Sequence, residues 1–414
     1  MLPIKTYLLL TIFTGCALLS AQAKTPKAKP DAHAIHSAAI VIDTHADTPG
    51  RFVDENFDMS SDTPVAQGHL DFGKARQGNL GAEFFSIWVN PQIKTGYTKR
   101  ALDMIDSVYE QARKHPDQMV MAFSADDIVK ARTGPNKRLA ALIGVEGGHA
   151  IENNIRVLRD FYRLGARYMT LTWANTNEWA DSSGDIENSQ VQHHNGLTDF
   201  GKQVVLEMNR LGMMVDISHV SDKTFWDTIE VSKAPVIASH SCARVLNSHA
   251  RNMTDDMLRA VGKNGGVVMV NFYSGFVDET YRQANLAQKP DREKAVQEYK
   301  DQMRARGEDA DTPGHLDIEK QWASRIPRPP FDSLINQIDH IAKVAGIDHV
   351  GLGSDFDGIT SLPQGIDSAA DLPKITEALL ARGYTEDQLK KILGENLLRV
   401  FRDVERVSRD LNKT

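Results

Sequence analysis

Eight times along this chain a short, continuous apolar run gives way to a helix-length amphipathic stretch, and that alternation limits the folds open to it. The runs cover 39–44, 82–89, 139–145, 167–172, 213–217, 235–238, 266–271 and 349–353. Gly, Ser, Asn or charged residues end each one. Between them lie helical patterns such as 154–164, 197–211, 254–261 and 331–344. Strands that are apolar on both faces and separated by helices belong to a parallel sheet covered on both sides. Eight of them predict an α/β fold of the (β/α)8 or TIM-barrel class, with a doubly wound open sheet as the alternative. A chain of 414 residues is long enough for one such barrel.

The pattern breaks between 278 and 330, where charge dominates and strand formers are scarce. This segment reads as a helical insertion after the seventh predicted strand, with a turn at 309–314, ending at Pro327, Pro329 and Pro330. It either covers the barrel mouth or forms a solvated excursion.

At the N-terminus Lys5, the apolar stretch 7–19 and Ala21-Gln22-Ala23 have the order of an export signal and its cleavage site. The expected organisation is a signal peptide at 1–23, a polar leader at 24–36, a single (β/α)8 domain at 37–405 and a C-terminal tail at 406–414. Export to the periplasm follows, with lipid anchoring through Cys16 as the competing reading. The apolar stretch is short for a membrane span, so the mature chain is expected to have none. Cys242 would then be its only cysteine, which leaves no intrachain disulfide and makes packing its expected role.

With 41% hydrophobic and 25% charged residues, the composition is that of a globular protein. Its 48 Lys and Arg against 55 Asp and Glu give a net charge of -7, which offers no general attraction to nucleic acid or anionic membranes.

The chemistry gathers at strand ends, which in a closed barrel means at one rim. The first run ends in Asp43-Thr44-His45-Ala46-Asp47, which sets an imidazole and a carboxylate two residues apart. The third ends in Glu146-Gly147-Gly148-His149. A carboxylate leaving an apolar strand is costly to bury alone, and one carboxylate can hold two cations through its two oxygens. His149 is better suited to a loop hydrogen bond. The fifth and sixth runs end in Ser218-His219 and Ser239-His240, two imidazoles on neighbouring strands. Counting donors gives His45, Asp47 and Glu146 for one cation, and Glu146, His219 and His240 for the other. Imidazole with carboxylate suits Zn²⁺, while Mn²⁺, Co²⁺ and Fe²⁺ remain open. Water between two such cations is acidic enough to supply hydroxide near neutral pH.

Asp355 is the first acid beyond the last apolar run, placed to orient that water and pass its proton on, with Asp357 in reserve. Arg251, just before the expected N-cap Thr254, is placed to pair with a substrate carboxylate. There is no Gly-x-Ser-x-Gly elbow, phosphate-binding Gly-rich loop or His-Glu-x-x-His helix. From residues alone the reading stops at two-metal hydrolysis.

These motifs, in this order, resemble the membrane dipeptidase (renal dipeptidase) family over about 40–401. The segments are Ile42 to Asp47, Gly144 to His149, Asp216 to Ser221, Ser239-His240-Ser241, Arg251-Asn252, Gly353 to Gly358 and Gly394-Glu395-Asn396. The resemblance implies two zinc ions on the ligands counted above, Asp355 acting on water and leaving amine, and Arg251 receiving the carboxylate of a dipeptide. It also implies tolerance of a C-terminal D residue and a homodimer. One departure stands out: Trp173 occupies the place where well-known members carry a substrate-contacting histidine, so that contact is either absent or supplied otherwise, with Asn175 or Asn177 as the candidates for the hydrogen bond. The alternatives are a two-metal hydrolase of another small amide, ester or lactone, and a periplasmic metal-bearing binding protein without catalysis.

Overall fold

The computed structural model describes residue 3 and residues 31–93, 95–134, 136–306 and 314–413. The expected signal peptide, Cys16 and most of the leader lie outside them, as does most of the turn at 309–314.

Nine parallel strands form one sheet: β1 (Val41–Ala46), β2 (Leu80–Trp88), β3 (Met119–Met121), β4 (Leu139–Glu146), β5 (Ala166–Thr170), β6 (Met214–Asp216), β7 (Ile237–Ser241), β8 (Val267–Val270) and β9 (Val350–Leu352). Pairing of β2 with β4 closes eight of them into a barrel in the order β1, β2, β4, β5, β6, β7, β8, β9. The barrel class is therefore correct and the open sheet is not. The ninth strand, β3, has no counterpart among the predicted runs. It pairs with the first residues of β4, on the edge that β5 takes further along, since Ala140 is paired with both Ala82 and Val120.

Inside the barrel, Ile42, Phe84, Leu142, Tyr168, Ile237 and Met269 are fully buried. Helix Asn396–Leu411 closes the end from which the strands start. Leu397 and Phe401 join the same cluster, and the Arg399 guanidinium donates to the carbonyls of Gly265 and Asp348, just before β8 and β9. This helix runs through most of the expected tail at 406–414, because Val404 and Ser408 continue its buried face. At the other terminus, Asp31 caps helix Ala32–Ala38, which buries Ile35 and His36 and replaces the end of the expected leader.

In the insertion, helix Glu279–Ala305 buries only Tyr281, and helix Gly314–Ala323 follows it. Among the described residues, no helix is long and apolar enough to cross a membrane.

One packing detail reaches the rim. Gly144 on β4 lies beside Tyr168 on β5, and a Cβ at Gly144 would fall 2.0 Å from the tyrosine ring. The missing side chain is what lets Tyr168 lie across the barrel with its hydroxyl at the base of the strand ends.

Candidate metal centre

His45 lies within β1, Asp47 directly after it, Glu146 at the end of β4, His219 three residues beyond β6, His240 within β7 and Asp355 three residues beyond β9. His219, Asp355 and Asp357 have φ of 66, 65 and 64°. Non-glycine residues rarely adopt this left-handed region, and here it turns side chains inward at strand ends.

The five predicted ligands meet around Glu146. Its Oε2 lies 3.4 Å from His45 Nε2, and its Oε1 lies 2.9 Å from His219 Nε2 and 3.4 Å from His240 Nε2. His45 Nε2 is also 3.5 Å from Asp47 Oδ2 and 4.0 Å from Asp355 Oδ1. The two histidine Nε2 atoms of the other half are 2.9 Å apart. Two ligands about 2.05 Å from one tetrahedral ion stand roughly 3.3 Å apart, and the contacts among the five side chains, from 2.9 to 3.5 Å, bracket that value.

Other features also fit a cation. The buried His45 Nε2 and Asp47 Oδ1 have no hydrogen-bond partner among the described residues. Burial works against a charged His45, yet Tyr168, Glu146 and Asp47 hold its pKa well above the usual value, so the cluster draws positive charge to Nε2. Burial opposes the Glu146 charge as well, but His45, His219 and His240 keep its carboxyl well below the usual range. Burial lowers His219 to about 4 and His240 well below normal, leaving both in the neutral form that binds metal. A Cβ on Gly358 would fall 2.0 Å from Asp47 Oδ2 and 2.7 Å from Asp355 Oδ1, so only glycine leaves both carboxylates where they are.

Several supporting residues were not foreseen. Tyr168 donates its hydroxyl proton to Thr44 O (3.1 Å), so the 2.9 Å contact with His45 Nδ1 has the imidazole as donor and leaves Nε2 bare. Ser239 Oγ donates to Asp216 Oδ2 (2.6 Å) and accepts from His240 Nδ1 (2.8 Å), a second arrangement that bares Nε2. Ser86 Oγ donates to Glu146 Oε2 (3.2 Å), and Asn271 Nδ2 to Asp355 Oδ2 (2.9 Å). The polar residues of Asp216-Ile217-Ser218-His219 were the one local signal; the other contacts span strands far apart in the chain.

Asp355 is pushed up to about 7 by burial, with His45 pulling the other way. Asp357 points elsewhere, accepting from Thr48 Oγ1 and His69 N, which makes it a loop anchor. Arg251 is buried; it donates to Ser241 Oγ (2.7 Å) and His240 O (2.8 Å), and its Nε has no partner among the described residues. Burial lowers its pKa to about 10, still charged at neutral pH.

Trp173 lies with its ring centroid 6.3 Å from His219 and 4.9 Å from Trp88. Asn175 lines a neighbouring cavity, and its amide makes only a 3.5 Å contact with Thr176 O. Asn177 is not free to replace the absent histidine: its Nδ2 donates to Leu171 O and its Oδ1 accepts from Trp179 N and Ala180 N. His149 holds its loop through Val89 O (2.8 Å). Cys242 is buried and its thiol is pushed up to about 12 by burial, which makes it a poor nucleophile at neutral pH.

Comparison with known proteins agrees with this geometry. Residues 30–414 match the family model described as membrane dipeptidase (peptidase family M19). Dipeptidase 3 from Homo sapiens is 33% identical over 390 residues, covering 93% of this chain and 69% of that protein. Among solved structures, the dipeptidase AC, a metallo peptidase, superposes with a TM-score of 0.69 at 25% identity, over 88% of this chain and 98% of that one. The probable dipeptidase PvdM from Pseudomonas aeruginosa superposes with a TM-score of 0.75 at 22% identity, over 91% and 98%. By fold, motif order and family match, the chain belongs to the membrane dipeptidase family, peptidase family M19, and is a metallopeptidase.

Proposed function

We propose that this enzyme cleaves the peptide bond of dipeptides, including those with a C-terminal D residue, using two divalent cations, zinc in the first place. His45, Asp47 and Glu146 hold one and Glu146, His219 and His240 the other. The observation that carries the reading is the division of the Glu146 carboxylate, one oxygen toward His45 and the other toward His219 and His240. When bound, such a pair supplies Lewis acidity and brings the pKa of water close to neutrality.

The chain's own groups do the rest. Asn271 fixes one oxygen of Asp355, leaving Oδ1 turned toward His45. From that position Asp355 takes a proton from attacking water and delivers it to the leaving amine. Arg251, pinned by Ser241 and His240 O, offers a buried cation for the free carboxylate, which favours dipeptides over longer peptides.

Trp173 supports a second reading, hydrolysis of another small amide, ester or lactone, because indole neither accepts a proton nor carries charge. The test is turnover of L-L and L-D dipeptides, N-acylated amino acids and lactones, with metal-stripped protein as control. Metal-dependent cleavage of dipeptides with a free carboxylate supports the first reading; cleavage of another class alone transfers support to the second.

A further inference from the structure

A cavity of about 740 Å³ opens beside Trp173, in the size range of roughly 300 to 1,000 Å³ usual for small-molecule sites. The loops after β2, β4 and β5 form it, with Tyr97, His149, Trp173 and Asn175 among its walls. Trp173 joins cavity and metal centre, since it lines the first and lies beside His219 of the second. Arg251 stands on the segment after β7, which in the closed order is directly across from β2. A dipeptide whose carboxylate meets Arg251 and whose peptide bond lies at Glu146 therefore points its other end toward this cavity.

The lining has one sign of charge. Glu152, Glu178 and Asp185 contribute carboxylates, and no Lys or Arg is among the described lining residues. Two of the acids are held in place: Glu152 accepts from Tyr97 N and Thr98 Oγ1, and Asp185 accepts from Thr176 N and Oγ1. Burial lowers the pKa of His149, whose neutral ring does not offset them. Glu178 is exposed at the edge.

We propose that this cavity receives the side chain of the substrate's N-terminal residue and selects large cationic side chains, lysine and arginine, over acidic ones. The proposal rests on the dipeptidase reading for its orientation, but not for its charge preference. Three carboxylates at partly solvated range are worth about a tenfold difference between a cationic and an acidic ligand.

The experiment measures kcat/KM of the metal-loaded full chain for Lys-Ala, Arg-Ala, Leu-Ala and Glu-Ala, in wild type and Glu178→Lys. Calorimetric binding of L-lysinamide and L-isoglutamine to the same proteins runs alongside. The expected result is a preference of about tenfold or more for Lys-Ala and Arg-Ala over Glu-Ala that shrinks severalfold in Glu178→Lys, with lysinamide binding more tightly than isoglutamine. Equal kcat/KM for Lys-Ala and Glu-Ala, or a preference that Glu178→Lys leaves unaltered, overturns it. Should no dipeptide be cleaved, the proposed function falls and the binding arm decides alone: tighter lysinamide, weakened by Glu178→Lys, supports the cavity's charge preference, and equal affinities overturn it.

Discussion

His45 and His240 both direct Nε2 at the Glu146 carboxylate, but they are backed by different groups. Behind His45 stands the hydroxyl of Tyr168, held near-apolar inside the barrel, its pKa pushed up mainly by burial. Behind His240 stands Ser239, which leads to the Asp216 carboxylate. Asp216 also accepts from Thr170 Oγ1, Ser218 N and Ser239 N. Through that chain a carboxylate fixes the His240 tautomer and ring orientation, with the proton on Nδ1 and Nε2 free. The His45 half compensates with carboxylates of its own, Asp47 and the nearby Asp355. One half is thus rich in direct negative charge and the other has an imidazole, His240, backed by a carboxylate, so the two should fail in different ways.

The largest expected effect falls on chemistry rather than on metal. Asp355→Asn keeps the five proposed ligands but removes the proposed proton carrier, and kcat should fall about 10³-fold with metal content retained. Loss of metal together with activity would instead make Asp355 a ligand of the His45 half. Next comes Gly358→Ala, whose methyl group would overlap Asp47 and Asp355 on that same side. Equilibrium dialysis should find about 100-fold weaker binding of one cation and little change in the other.

The contrast sharpens with Asp216→Asn and Tyr168→Phe. Asp216→Asn should weaken the cation on the His219 and His240 side by about 10- to 100-fold, and Tyr168→Phe the other cation by about tenfold or less. Equal losses from both variants would erase the distinction between the halves.

The smallest effect lies outside the metal centre. Glu83 pairs in register with Asp43, is fully buried, and neither of its oxygens has a hydrogen-bond partner among the described residues. Burial, aided by Asp43, raises its pKa well above the usual value. A carboxyl raised on folding binds its proton more tightly in the native state. Its stabilisation is therefore complete below the unfolded pKa and is lost as pH rises through the folded one. Glu83→Gln should remove that loss, leaving Tm a few degrees higher than wild type near pH 8 and closer to it near pH 5, in a melting series across pH.

Much of this was legible because barrel chemistry sits where apolar runs stop. His45, Glu146, His219, His240 and Asp355 each follow or close such a run, and a closed parallel barrel brings those ends together. Helix Phe331–Val344 and the Thr254 cap were equally local signals. β3 escaped because three residues are too few to establish a period. Tyr168 escaped because its hydrogen bond to His45 joins residues 123 apart in sequence and depends on the gap left by Gly144. The polar leader and the C-terminal tail were placed outside the domain, whereas Ile35 and Ser408 belong to the buried faces of helices that pack on it.

In the proposed site one carboxylate, Glu146, joins two cations at the strand ends. The most direct test is the metal-to-protein ratio of purified wild type and Glu146→Gln by elemental analysis, with circular dichroism to check folding. About two equivalents in wild type and less than one in folded Glu146→Gln is the predicted result. A single equivalent in wild type, or a folded Glu146→Gln that keeps both ions, would contradict it.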